Sequence, residues 1–506
     1  MIGFILYILI LIATGLCLPE VYFDSMAPQF LFVMGFLSVW RYSWALTHFS
    51  RALIYRKIVF PKRRAMANAL GDDGKPEHVF LVLTTFRIGT SVTVEVYRAA
   101  IKDAISTSVP TTIIASIVEL SEERLVRKIF QSQYPGKHIR LKIVRISGSG
   151  KRDALAAAFR AVSNTPVNLE KSIVSVIDGD SILEPGLTDA CYRMFALQPK
   201  LGALTTDEVC KLDGDDFATS IYRRWYSMRF AQRHTYMSSM GLSNRVLTLT
   251  GRMSMFRASI VGEAGFIDTV QLDHIIHWRL GQFRFLTGDD KSSWYYLLKN
   301  GWEMWYVPDV SVVTIEEIPH SNFFVGANTL MRRWFGNMLR TNRRALSVPI
   351  SVMGVFTWWN LVDQRISMWT SLFGFVAAVI GALVYGPGLF FAYLWWIGFI
   401  RLSQTLMLLA SRNKISASWP FFIYFNQIYG SLVKIYMLNH LHKQKWTRQK
   451  TTLKQQGNLW DAWFIELSSK LAMVTYTTVF LTSVAFIIGA FDSHDIQQAA
   501  DFFTSL

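Results

Sequence analysis

The chain has 506 residues, 51% of them hydrophobic and 14% aromatic, and a formal net charge of +16. So apolar a composition is uncommon for a soluble protein of this length and puts a membrane class first. A basic excess suits nucleic acid, anionic lipid or an anionic substrate. There is no zinc-finger spacing, RNP-like aromatic signature or long Lys/Arg run, and this excludes a nucleic-acid partner. Much of the basic charge flanks apolar segments instead, as cytoplasmic loops of membrane proteins do.

In chain order, residues 1–50 are expected to hold two spanning helices, Ile2–Leu18 and Phe30–Leu46. The first lacks a basic leader and a small-residue cleavage site, so it reads as a retained helix. Basic residues from Arg51 to Arg64 then place the following region, 51–320, in the cytoplasm. There, apolar runs alternate with helical stretches: strands at Val79–Thr84, Thr112–Val118, Leu141–Ile146 and Ile173–Ile177, helices at Thr93–Ser106, Glu122–Gln133 and Arg152–Val162. This βαβ order predicts an α/β fold with a doubly wound, mainly parallel mixed sheet, whose ligands bind beyond the carboxyl ends of the strands.

Residues 321–364 are expected to form amphipathic interface helices, Phe323–Arg344 and Val348–Trp359. Residues 365–411 hold two further spans, Met368–Tyr385 and Leu389–Leu409, around the turn Gly386-Pro387-Gly388. Residues 412–468 read as an interfacial helix, Trp419–Leu438, and a basic loop; 469–492 as a last span; 493–506 as an external tail. That gives about five crossings, with the α/β domain inserted between transmembrane helices. Arg401, inside a span, is expensive there and marks a functional position; Arg401, Asn426 and Lys434 are candidates to line a path. Cys17, Cys191 and Cys210 form no CxxC pair and no disulfide framework, which fits a reducing compartment for the central region.

Three motifs carry chemistry. Asp178-Gly179-Asp180 ends an apolar strand; carboxylates two residues apart in extended chain point the same way and can hold a hard divalent cation against a diphosphate. DxD strings are common in turns, but the position at the end of a strand of this sheet favours the functional reading. In Gly288-Asp289-Asp290, adjacent carboxylates repel, raising one pKa as a general base requires; a helix N-cap is the structural alternative. In Arg332-Arg333-Trp334, Arg can grip a diphosphate and Trp can stack on a sugar, while an interfacial helix with an aromatic anchor explains the same residues.

In this order, the motifs resemble the processive family-2 glycosyltransferases, the cellulose, chitin and hyaluronan synthases and their relatives, over nearly the whole chain. The resemblance implies a GT-A-type domain. It implies Asp178 and Asp180 as ligands of Mg²⁺ or Mn²⁺ and of the donor diphosphate, Asp290 as base beside Asp289, and Arg332 and Arg333 as diphosphate contacts. Trp334 would mark the mouth of the polymer channel, and Leu330 stands where the family has Gln. Gly150–Leu155, with Lys151, resembles a stretch lining the nucleotide pocket, and Thr250–Arg257, with Gly251 and Arg252, the acceptor-side segment. Trp446-Thr447-Arg448 is similar to a gating-loop motif. Glu119 stands where members using UDP-sugars read uracil with an Asp pair, which suits a purine equally.

Within the family, Gly288–Gly301 and Ser403–Trp419 resemble the branch that polymerises alginate. That implies GDP-mannuronate as donor, a growing β-1,4-linked polymannuronate, the bacterial inner membrane, and a membrane-anchored co-polymerase with a cyclic-di-GMP-binding PilZ-type domain. Other polymers from UDP-sugars are the rivals within the class. A non-catalytic membrane scaffold or transport subunit is the rival from another class, and the intact carboxylates argue against it.

Overall fold

The computed structural model describes residues 2–24, 36–148, 150–446, 451–452 and 459–490. The chain divides into two compact units: residues 48–361 with 441–455, and residues 1–47 with 362–440 and 456–506.

The first unit is built on an eight-stranded sheet. In chain order its strands are β1 (His78–Thr84), β2 (Thr111–Ile117), β3 (Ile139–Arg145), β4 (Ser172–Asp178), β5 (Ser181–Leu183), β6 (Leu201–Lys211), β7 (Met253–Arg257) and, after a separate hairpin of β8 (His274–His277) and β9 (Gly281–Arg284), β10 (Glu303–Ile315). The spatial order is β3-β2-β1-β4-β7-β6-β10-β5. β3, β2, β1 and β4 are mutually parallel. β7 is antiparallel to both neighbours, β6 and β10 are parallel, and β5 closes the edge antiparallel. β1 and β2 are buried at every position, because parallel strands covered by helices on both faces need continuous apolar runs.

The four expected strands lie in β1 to β4, and the three expected helices appear as Thr90–Thr107, Leu120–Ser132 and Lys151–Ser163. Their crossovers bring the carboxyl ends of β1 and β4 together, Thr84 pairing with Asp178. The chain reverses its winding there, where open α/β sheets bind ligands. The 25-residue helix Phe217–Gly241 was not legible in the sequence, because it buries residues on several faces and has no single apolar stripe.

Two expectations need correction. The helix expected at Val348–Trp359 is not separate: after a short turn at Ile350–Met353, one helix runs unbroken from Val355 to Tyr385. Polar residues are satisfied inside it. Asn360 donates to Phe356 O at 2.7 Å and accepts from Tyr236 at 2.6 Å, and Asp363 pairs with Arg41 at 2.5 Å. The last helix also begins earlier than expected and spans Leu459–Ile487, taking residues from the segment read as loop.

The second unit is helical. Val355–Tyr385 and Trp460–Ile487 are long and apolar enough to cross a membrane, and Ile2–Leu16 is a shorter apolar helix. Tyr7 donates to Gly398 O at 2.9 Å and Trp395 donates to Leu11 O at 2.8 Å, so the first helix is bonded to Gly388–Met407. The close approach needs glycine: a Cβ at Gly15 would lie 2.8 Å from the Trp395 ring. Trp419–Asn439 is one continuous helix. Arg401 is buried and bonds Gln404 and Gln427, and Gln427 donates to Ser371 O at 2.9 Å, so the guanidinium ties three helices together.

Candidate active site

β4 delivers Asp178 to the carboxyl edge of the sheet, but the chain does not continue extended. Gly179 and Asp180 form a turn, and β5 starts at Ser181. Only glycine fits the first position of this turn. Thr84 O and Ile88 pack so close to Gly179 that a Cβ there would lie 2.6 and 2.5 Å from them. Asp180 nevertheless stays near enough for its charge to act on Asp178. The two carboxylates are therefore brought together by a turn, not by strand alternation.

The second pair arrives on the helix Asp289–Lys299, whose first two residues are Asp289 and Asp290. Gly288 precedes them with φ +86°, a left-handed conformation that a side chain adopts only under strain. The two carboxylates thus occupy the first helical turn, where the helix dipole favours negative charge; the cap itself is Gly288.

Lys151 joins the two motifs. Its Nζ lies 2.6 Å from Asp178 Oδ1 and 2.9 Å from Asp289 Oδ2. The three side chains keep 20%, 27% and 13% of their surface open, so they line a recess that solvent and substrate can reach. Two carboxylates hold the Lys151 ammonium well above its usual range against the opposing effect of burial. Burial pushes Asp178 up to about 6, Asp180 and Asp289 adding to it and Lys151 opposing. Burial also acts to raise Asp289, but Lys151 and Arg152 outweigh it and hold Asp289 below the usual carboxylate value. Asp290 is raised, first by burial and then by Asp289. The adjacent carboxylates are thus pushed apart, one ionised and one more basic. Burial lowers the neighbouring Lys291 to about 8, Asp290 opposing and Arg233 assisting; its ammonium donates to Leu247 O at 2.7 Å.

Gly251 backs the Asp178–Lys151 pair: a Cβ there would meet Asp178 Oδ2 and Lys151 Nζ, both at 2.9 Å. Arg252, expected on the acceptor side, bridges two carboxylates, Glu208 at 3.1 Å and Glu316 at 2.5 Å. Glu119 immediately precedes the helix Leu120–Ser132; its N–H donates to Glu122, which also accepts from Val118 and Arg87 N–H groups at 3.2–3.3 Å. Glu122 therefore fixes the loops after β1 and β2, a function the sequence did not reveal.

The Arg-Arg-Trp segment lies on the helix Phe323–Ala345, capped by Asn322. Arg332 is exposed; Arg333 and Trp334 are half-buried. Trp334 meets Trp225 and Tyr226 of the long helix, with ring centroids 5.7 and 6.4 Å away. Leu330, in place of the family's Gln, is buried and apolar. One turn further on, Asn337 holds the approach to the carboxylates: Thr287 donates to its Oδ1 at 2.8 Å, and Arg340 bonds the same oxygen. Arg152 adds a bond to Thr287 O at 3.0 Å.

Of the gating-loop residues, Trp446 lies in a short strand, β11 (Lys445–Trp446), which pairs with β12 (Thr451–Thr452); Thr447 and Arg448 lie outside the described residues. The root of this segment is tied to the carboxylate loop. Gln444 accepts from Leu286 N–H at 3.0 Å and donates to Arg284 O at 2.8 Å. Arg401 belongs to the second unit.

Two carboxylates from the β4 turn offer hard oxygen ligands of the kind Mg²⁺ or Mn²⁺ takes, with phosphate and water completing the shell. Among the described residues there is no cluster of three or more such side chains, so any cation here needs donor oxygens from a ligand.

A family model described as glycosyltransferase like family 2 matches residues 76–337. Two curated proteins called glycosyltransferase alg8, from Pseudomonas syringae pv. tomato and Azotobacter vinelandii, are 43% and 42% identical over 479 residues, 95% of this chain and 96% of each of theirs. A solved mannosyltransferase from Pyrobaculum calidifontis, in complex with GDP-Man and Mn²⁺, matches 76% of this chain and 98% of its own at 13% identity and a TM-score of 0.38. The mixed sheet is that of the GT-A type, its carboxylates gather at one strand edge, and full-length relatives share the sequence: the chain belongs to glycosyltransferase family 2 and is a glycosyltransferase.

Proposed function

We propose that this glycosyltransferase is the polymerase of alginate biosynthesis, transferring mannuronate from GDP-mannuronate to a β-1,4-linked chain that leaves across the bacterial inner membrane. The motifs quoted above support the donor and product, and the two relatives called glycosyltransferase alg8 support the transfer of a sugar. The observation that carries the mechanism is Lys151 bridging Asp178 and Asp289, which puts the donor-side and base-side carboxylates around one recess.

Asp178 and Asp180 would hold a divalent ion, which when bound supplies charge neutralisation to the diphosphate. Lys151 and Arg333, with Arg332, add fixed positive charge where the leaving group develops its own. Asp290 takes the proton of the acceptor 4-hydroxyl, whose oxygen forms the bond to the anomeric carbon as the bond to the GDP diphosphate breaks. Its raised pKa makes it a stronger base than an ordinary aspartate. One displacement inverts an α donor to a β linkage, and no carboxylate nucleophile is needed. Glu119, at the end of β2, reads the guanine. Gly251, Arg252 and Trp334 face the acceptor, Arg401 lies along the export path, and Trp446, Thr447 and Arg448 cover the loaded donor. The catalytic domain is cytoplasmic, the helices cross the membrane several times, and a PilZ-type co-polymerase regulates the chain.

Membranes containing the protein would be supplied with Mg²⁺ or Mn²⁺ and labelled GDP-mannuronate, UDP-glucose or UDP-N-acetylglucosamine in parallel. High-molecular-weight product from GDP-mannuronate alone is expected. Product from a UDP-sugar alone contradicts the donor and keeps the family.

A further inference from the structure

The long helix Phe217–Gly241 carries Trp225, Arg229 and Arg233 at spacings of four, which places them on one helical face. Arg229 lies over the aromatic pair: its Cζ is 4.1 Å from the centroid of Trp334 and 5.3 Å from that of Trp225. It is half-buried, and among the described residues it has no ion pair and no hydrogen bond. Within its electrostatic reach are Arg252, a second cation, and the Tyr226 phenol, which burial keeps neutral. Arg252 is already neutralised by Glu208 and Glu316, and Arg233 lies 3.3 Å from Glu208. Arg229 is thus a half-buried guanidinium stacked on indoles with no carboxylate of its own among the described residues, and its N–H groups are open to a ligand.

Its surroundings limit what that ligand is. The diphosphate belongs at the β4 turn with Asp178, Asp180 and Lys151. Arg229 instead adjoins Trp334, an indole of the kind that stacks on sugar rings, and a planar guanidinium matches a carboxylate in two parallel hydrogen bonds. An aromatic platform beside an unpaired guanidinium suits a sugar carrying one carboxylate. Arg233 continues the same helix face and lies within electrostatic reach of Lys291, which follows Asp290. The cationic stripe therefore runs from the platform towards the base.

We propose that Arg229 is the specificity-determining residue of the acceptor site, pairing with the carboxylate of a uronate unit while that unit stacks at Trp334. This rests on the acceptor reading of Trp334 and on an acidic polymer as product. The bland alternative is a cation–π contact that only stiffens the aromatic cluster.

The test uses the full-length protein in lipid nanodiscs and two probes of equal length, a β-1,4-linked oligomannuronate and the neutral β-1,4-linked mannooligosaccharide. Binding is followed by calorimetry for the wild type, Arg229→Gln and Arg229→Met, the second keeping an apolar stem against the indoles. The wild type is expected to prefer the uronate by about tenfold, the scale of one charged hydrogen-bonded pair. Either variant with a wild-type melting temperature and wild-type GDP binding should bind both probes alike. An undiminished preference in such a variant, or no preference in the wild type, overturns the proposal. Incorporation from GDP-mannuronate by the wild type separates the two levels: product with an unaltered variant preference rejects Arg229 alone, whereas product from a neutral donor only rejects the acidic polymer.

Discussion

At the scale of single residues, the account turns on one ammonium and one carboxylate. Lys151 contacts both motif carboxylates, so Lys151→Met leaves Asp178 and Asp289 facing each other without a cation. Initial rates of sugar incorporation should fall by about a hundredfold or more, the loss typical of removing a fixed transition-state charge. Asp290 must be ionised to accept a proton, and its pKa stands above that of an ordinary aspartate. Activity is therefore lost as pH falls through this raised value, and lost earlier than an unperturbed aspartate near 4 would allow. Asp289→Asn removes the neighbouring charge, so the acid limb of the kcat/KM profile should move to lower pH. A limb that stays in place would show that Asp290 is not the group seen. The sequence pointed to Asp178, Asp180, Asp289 and Asp290 because short acidic strings stand out beside apolar runs. It could not place Lys151 between them, since that contact joins residues far apart in the chain. Arg229, Asn337 and Gln444 passed unnoticed because ordinary polar residues acquire meaning only from what they face.

Among the elements, the carboxylates are positioned by a turn that three segments hold. Arg152 bonds Thr287 O, Asn337 accepts from the Thr287 hydroxyl, and Gln444 bonds the backbone just before it. Gly288 is the hinge point: its φ of +86° strains any other residue, and a Cβ there would lie 3.0 Å from Asn337. Gly288→Ala is expected to cost about 1–3 kcal/mol locally and to shift Asp289 and Asp290, lowering kcat more than donor affinity. Gln444→Ala frees the root of β11 from the Arg284–Leu286 backbone. Rates should fall, because the strand that follows loses its tie to the carboxylate loop. The four parallel strands were legible as continuous apolar runs. β6, β7, β10 and the helix Phe217–Gly241 were not, because polar residues interrupt the apolar runs of these strands and a helix buried on several faces leaves no clean period. The helix expected to end at Trp359 runs on to Tyr385, and Asn360 and Asp363 find partners, so polar residues sit inside a continuous helix.

For the whole molecule, net charge, apolar helices and family point the same way. A cytoplasmic catalytic domain predicts that Asp72, exposed on the surface of the first unit, faces inward. With Cys17 replaced by Ser, an Asp72→Cys variant should resist a membrane-impermeant maleimide in intact cells and react after permeabilisation. Labelling in intact cells would invert the orientation. The central claim, that one recess assembled around Lys151 transfers a sugar with Asp290 as base, is tested most directly by Asp290→Asn in the incorporation assay with GDP-mannuronate. The account predicts GDP binding near that of the wild type and a loss of polymer of about a hundredfold or more, the scale of a missing general base. Polymer formation at the wild-type rate would contradict it.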